Sequence, residues 1–201
     1  MKKKINARKR IEGFGIICLL FLFLTGCREE NMPEGRTLAL QKDGSITQTI
    51  VDDFSMDYYD FDELSQMNRE EVEEYNSSVN REAVTIDDMK TDGSKITVIM
   101  QYANTDDYIA MTENALFFGT VEQAQKVGYD MNVSLTSIDK AKTLTKEELL
   151  TMGKAHIAIV TEPTNVKTFG NILYISDGVT VEQNKKLATV SGENTAYIVF
   201  K

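Results

Sequence analysis

Tryptophan is absent from this 201-residue chain, histidine occurs once, and there are only two prolines and two cysteines. Each shortage excludes something. With His156 the sole imidazole, a histidine-rich metal site is impossible. Both cysteines, Cys18 and Cys27, lie near the start, so the rest of the chain has no thiol for a disulfide framework, a thiol nucleophile or a cysteine-based zinc site. Basic residues are outnumbered, 22 against 31 acidic, for a formal charge of −9. Nucleic acid is therefore not an expected partner, because phosphate binding needs a concentrated basic face. The GxxxxGK[ST] and GxGxxG phosphate loops and the GxSxG nucleophile elbow do not occur. At 42% hydrophobic and 26% charged, the sequence is that of a folding chain. It is neither a disordered acidic tail nor a polytopic membrane protein.

What is present begins at the N-terminus. The first ten residues, MKKKINARKR, carry six basic groups, and an apolar run over residues 14–24 leads into Leu24-Thr25-Gly26-Cys27. The run is too short for a comfortable membrane span, which needs about 20 apolar residues. Basic start, apolar run and LTGC together resemble the signal peptide and lipobox of bacterial lipoproteins. That resemblance implies that residues 1–26 are a signal peptide. It also implies that Cys27 becomes the mature N-terminus, bearing diacylglycerol with palmitate among its acyl chains, and that the protein is held on the extracytoplasmic face of the cell membrane. Two acyl chains give durable attachment where one does not. The remainder has a general resemblance to uncharacterised surface lipoproteins of Gram-positive anaerobes, without a diagnostic motif.

Residues 27–35 read as the lipidated terminus and its tether, REENMPEG being aperiodic with Pro33 and Gly35. Eight extended residues reach at most roughly 29 Å, which keeps the folded part close to the membrane surface. Loss of residues 1–26 removes six basic groups and one acidic group, leaving a net charge near −14. Such acidity favours solubility and cationic partners.

The expected fold class is α+β: an antiparallel sheet with hairpin–helix units in the first half, then a β-rich C-terminal third. Residues 37–52 and 84–102 each place Asp-Gly between β-prone runs, which predicts two hairpins. Asp43-Gly44-Ser45 matches Asp92-Gly93-Ser94 at an offset of 49, hinting at a repeated β-β-α unit. Apolar residues from Phe61 to Val79 follow one helical face, with Asp60 and Glu63 as a capping box. Thr105 is expected to cap a second helix. Thr120 with Gln123 opens a third that Gly128 ends, and Thr145 with Glu148 opens a fourth that Gly153 ends. Residues 36–154 form the α+β region. Residues 155–201 read as short strands separated at Pro163–Asn165, Asp177-Gly178, Asn184–Lys186 and Ser191-Gly192, with a buried last strand, packed with the preceding region as one unit.

His156 reads as a strand residue facing away from Ala155, Ile157 and Ile159. The abundant chemical resource is carboxylate. Asp52, Asp53, Asp57, Asp60 and Asp62 are interleaved with Tyr58 and Tyr59, and this acidic-aromatic segment is the candidate ligand site. It does not match the spacing of an EF-hand loop, so no metal site and no cofactor are expected. The leading expectation is a non-enzymatic, lipid-anchored binding or scaffolding module with a protein or a cationic ligand as partner. One alternative is a small carboxylate-dependent hydrolase of wall or dietary polymers, which needs two carboxylates at a defined separation. A further alternative is a calcium- or cationic-solute-binding lipoprotein.

Overall fold

The two Asp-Gly runs fold as hairpins. A computed structural model describes residues 33–192 and 194–201. Strands β1 (Gly35–Leu40) and β2 (Ile46–Asp53) lead into helix α1 (Phe61–Val79), and β3 (Val84–Thr91) and β4 (Lys95–Tyr102) lead into α2 (Thr105–Thr112). The two turns share one geometry. Asp43 Oδ1 accepts from the Ser45 N–H at 3.0 Å and the Ser45 hydroxyl at 2.7 Å, and Asp92 Oδ1 does the same for Ser94 at 3.0 and 3.1 Å. Gly44 and Gly93 take φ of 94° and 91°, left-handed backbone that a Cβ would strain.

The middle of the chain supplies β5 (Leu116–Thr120), α3 (Val121–Val127), β6 (Leu135–Ser137), β7 (Thr143–Leu144) and α4 (Lys146–Thr151). The strand-rich end supplies β8 (His156–Val160), β9 (Thr164–Thr168), β10 (Ile172–Ile175), β11 (Val179–Val181), β12 (Leu187–Val190) and β13 (Ala196–Phe200). The fold is α+β, as expected, with two mostly antiparallel sheets. All of these elements fall in one compact unit.

The first sheet has the order β11-β12-β9-β1-β2-β4-β3, the second β5-β8-β13-β10-β6-β7. The C-terminal third thus contributes strands to both. Residues Pro163–Asn165, expected to separate strands, run into strand β9. That strand lies in the interior of the first sheet, parallel to β1 in the register Thr37↔Asn165 to Leu40↔Thr168. Its sequence, TNVKT, has one apolar residue, Val166, and its partner lies more than 120 residues upstream, so no local pattern announces it.

Alternation sets two cores. Leu38, Leu40, Ile46, Val98, Met100 and Tyr102 point to one face of the first sheet and pack with Val72 of α1 and Tyr108 of α2. That core also takes Ala158, Val160, Ile198 and Phe200 from the second sheet. The intervening Ile157, Ile159, Tyr197 and Val199 face the other way, against Val121 and Ala124 of α3 and Leu149 of α4. Strands β8 and β13 are therefore covered on both faces, which explains their nearly continuous apolar sequence and the buried last strand. A bulge between Ile86 and Asp88 shifts the register of β3, so that Ile86 and Met89 both pack against the core.

The caps differ from expectation in three places. Asp60 caps α1 by accepting from the N–H groups of Asp62 and Glu63, without a reciprocal bond from Glu63. Asn104, not Thr105, caps α2, because its side chain reaches the Asp107 N–H. Helix α4 ends at Met152 rather than on a left-handed Gly153. The boxes at Thr120 and Thr145 form in full, and Gly128 closes α3 at φ 97°.

Candidate functional site

The acidic-aromatic segment runs from the end of β2 through the loop into α1, and most of its carboxylates are occupied locally. Asp52 Oδ1 accepts from the Asp53 N–H at 2.8 Å. Hydrogen bonds from the Ser55 hydroxyl and N–H hold Asp53 below the usual carboxylate range. Asp60 is the cap, and Asp62 lies in the first turn of α1, where a negative charge suits the helix dipole. Asp57 is exposed in the loop. Phe54 stacks on Tyr59 at 5.1 Å, Tyr58 meets Tyr59 edge-on at 4.8 Å, and their hydrogen bond raises the Tyr59 phenol. Among the described residues, no group of three or more His, Cys, Asp or Glu side chains converges in a way that would hold a metal ion.

Of the seven candidates, Asp52 lines a cleft. A cleft of 440 Å³ opens between α1 and the face of β1, β2 and β4 that carries the first core. Gln48, Met100 and Tyr102 lie buried in its floor, and Ile50 and Met111 add apolar surface. Asp52 lines it from the sheet side, Asn68 and Glu71 from α1, and Gly35 is also among its lining residues. Asp53, Asp57, Tyr58, Tyr59, Asp60 and Asp62 are not among the lining residues.

The floor is held by polar contacts out of water. Tyr102 Oη donates to Gln48 Oε1 at 2.8 Å, with the two residues 1% and 3% exposed. Burial, reinforced by the charges of Tyr108 and Glu71, pushes the Tyr102 phenol far upward, so it remains a hydrogen-bond donor throughout the physiological range. On another wall Arg36 Nη2 meets Glu162 Oε2 at 2.5 Å. The Asn114 amide, with its nitrogen turned to Glu162, donates to both carboxylate oxygens at 2.6 and 2.8 Å and accepts from Arg36. The guanidinium is therefore already matched. The sequence signal for this site is Gln48 itself, a polar residue at an inward position between Ile46 and Ile50.

Asp107 and His156 also pack near the first core. Asp107 is 1% exposed and accepts from Tyr75 Oη at 2.8 Å and from Arg81 Nη2 at 2.5 Å through the same oxygen. The geometry is that of a helix-to-loop tie between α1, α2 and the residues before β3. His156 faces away from Ile157 and Ile159, as expected, and packs among Phe118, Phe169 and Phe200, with Phe169 edge-on at 4.8 Å. Burial pushes its imidazole below the ordinary value. It lies outside the cleft.

Sheet edges offer little to a strand-adding partner. The edges of the first sheet are β11, three residues long, and β3, which is bulged and carries Asp87, Asp88 and Lys90. Those of the second sheet are β5, packed by α2 and α3, and the two-residue β7. No helix among the described residues is long and apolar enough to cross a membrane. The signal segment 1–26 and Cys27 lie outside the described residues. Compared with protein families, characterised proteins and solved structures, the chain matches none.

Proposed function

We propose that the chain is a lipid-anchored binding module, held at the extracytoplasmic face of the membrane through Cys27, with the cleft beneath α1 as its ligand site. The observation that carries this reading is the place of Gly35. It lines the cleft and lies only two residues after Pro33, where the described chain begins. A tether from Cys27 would therefore join the fold beside the cleft. Residues 28–34 extend at most roughly 25 Å, so the cleft stays near the headgroups.

The cleft has the character of a small-molecule site. Its 440 Å³ falls within the range of ligand pockets, about 300–1,000 Å³, and it combines an apolar floor with a few fixed polar groups. The hydrolase reading has less support. Among the described residues, six carboxylates have displaced values: Glu34, Asp43, Asp53, Asp92, Asp139 and Glu148. Each is displaced downward by hydrogen bonds, in Glu34 and Glu148 from a lysine partner. A general acid needs the opposite displacement.

Thermal unfolding of the chain from residue 28, with panels of small solutes, tests the site. At least one solute should raise the midpoint, and Asn68→Trp, which fills the cleft from the helix side, should abolish the rise. A stabilising solute whose effect survives Asn68→Trp places binding elsewhere, and a flat response to every solute rejects a small-ligand cleft.

A further inference from the structure

We infer that the ligand of the cleft is a small organic cation bearing protonated amines on an alkyl spacer, an inference that rests on the cleft being the binding site proposed above. Arg36 is ion-paired with Glu162 and hydrogen-bonded to Asn114, so its guanidinium is not free to pair with an anion. Asp52 on the sheet side and Glu71 on the helix side have no basic partner within ion-pair distance among the described residues. Both are exposed and line the same cleft, so a cation that enters it can pair with either.

Hydrogen-bonding capacity narrows the class. Asn68 donates its amide nitrogen to the Leu64 carbonyl at 2.8 Å, which leaves its Oδ1 as an acceptor. Two carboxylates and an amide oxygen call for a ligand rich in N–H donors, as an alkylammonium is. A quaternary ammonium is a poor match, because it has no N–H and is held by a cage of aromatic faces. Here Tyr102 is the one aromatic residue lining the cleft. A hard metal ion wants six or more converging oxygens, whereas the carboxylates here stand on separate elements. The apolar floor of Ile50, Met100 and Met111 suits methylene groups between two charged ends. A free diamine has this chemistry at both ends, and a lysine side chain on a peptide supplies one such end.

Isothermal titration calorimetry of the chain from residue 28 uses a part whose described elements form one compact unit. The probes are cadaverine, pentylamine, pentanediol and Nα-acetyl-lysine amide. Cadaverine should bind, pentylamine about tenfold more weakly for the loss of one charge contact, and pentanediol not at all. Asp52→Asn and Glu71→Gln should each weaken cadaverine by about tenfold with the unfolding midpoint unchanged, and added salt should weaken it further. Nα-acetyl-lysine amide binding at least as tightly as pentylamine identifies a peptide-borne lysine as the source; weaker binding identifies a free amine. Failure of cadaverine to bind, equal binding of cadaverine and pentanediol, or wild-type affinity in both charge variants overturns the inference. If pentanediol binds and Asn68→Trp abolishes it, the cleft stands as a site and only the cation is wrong. If cadaverine binding survives Asn68→Trp, the site itself is wrong.

Discussion

Tyr102 and Gln48 form a diagonal cross-strand pair, the hydroxyl on β4 donating to the amide oxygen on β2 at 2.8 Å beneath the cleft. Neither residue could be buried alone without an unmet polar group. Together they make a polar point in an apolar floor, and that floor supports the whole account of binding.

Removing one member should expose that dependence. Tyr102→Phe leaves the Gln48 oxygen buried without its donor and should lower stability by about 1–3 kcal/mol. In urea titration the midpoint should fall with the slope unchanged. Adding Gln48→Leu to Tyr102→Phe should recover part of the loss, since both partners are then apolar. A double variant less stable than the sum of the two singles would contradict the pairing.

Asp107 predicts a second, independent dependence. Its carboxylate is buried and held by Tyr75 and Arg81. Tyr75→Phe removes a hydrogen bond to a charged group and should cost about 1.5–3 kcal/mol. Arg81→Leu should lower the unfolding midpoint more than Arg69→Leu, an exposed arginine whose one hydrogen bond is to Ser65 at 3.4 Å. Equal effects of the two arginine variants would show that the Asp107 pair does not tie the helices.

Within the acidic-aromatic segment, Asp52 and Asp60 should separate. Asp60→Ala removes the α1 cap and should reduce stability by about 1 kcal/mol while leaving amine binding intact. Asp52→Asn should do the reverse. Parallel thermal melts and titrations of the two variants check this, and loss of binding in Asp60→Ala would return the loop to the ligand site.

His156 gives the pH dependence a sign. Burial holds its folded value below the ordinary 6.5, so between the two values the unfolded chain binds the extra proton. Stability is then complete above about 6.5 and declines as the pH falls from there toward the folded value. His156→Phe should flatten the dependence of the midpoint on pH in that window. The lowered carboxylates Asp43, Asp53, Asp92 and Asp139 act at lower pH, their stabilisation being lost as the pH falls through their folded values. An unchanged slope just below about pH 6.5 in the variant would show that the imidazole is not desolvated.

Local chemistry made much of this fold readable. The DGS turns, the helix from Phe61, the full boxes at Thr120 and Thr145 and the apolar end strand all follow from interactions within a few residues. Strand β9 did not follow, because Thr164–Thr168 is defined by β1 and β12, partners remote in sequence, rather than by its own pattern. The site divides the same way. Carboxylate density marks residues 52–62, but turns and a cap use most of those groups, and of the seven candidates Asp52 is the one that lines this cleft. Gln48, Asn68, Glu71 and Arg36 come together only when α1 folds across the sheet, so their spacing carried no signal beyond the inward position of Gln48.

The central claim, a binding module tethered beside its own cleft, is tested most directly by the N-terminus of the protein extracted from membranes with detergent. Mass spectrometry of its N-terminal peptide should find Cys27 as the first residue, carrying a diacylglycerol adduct, and Cys27→Ser should leave residues 1–26 uncleaved. An extracted protein that begins elsewhere, or in which Cys27 is unmodified, would contradict the anchor.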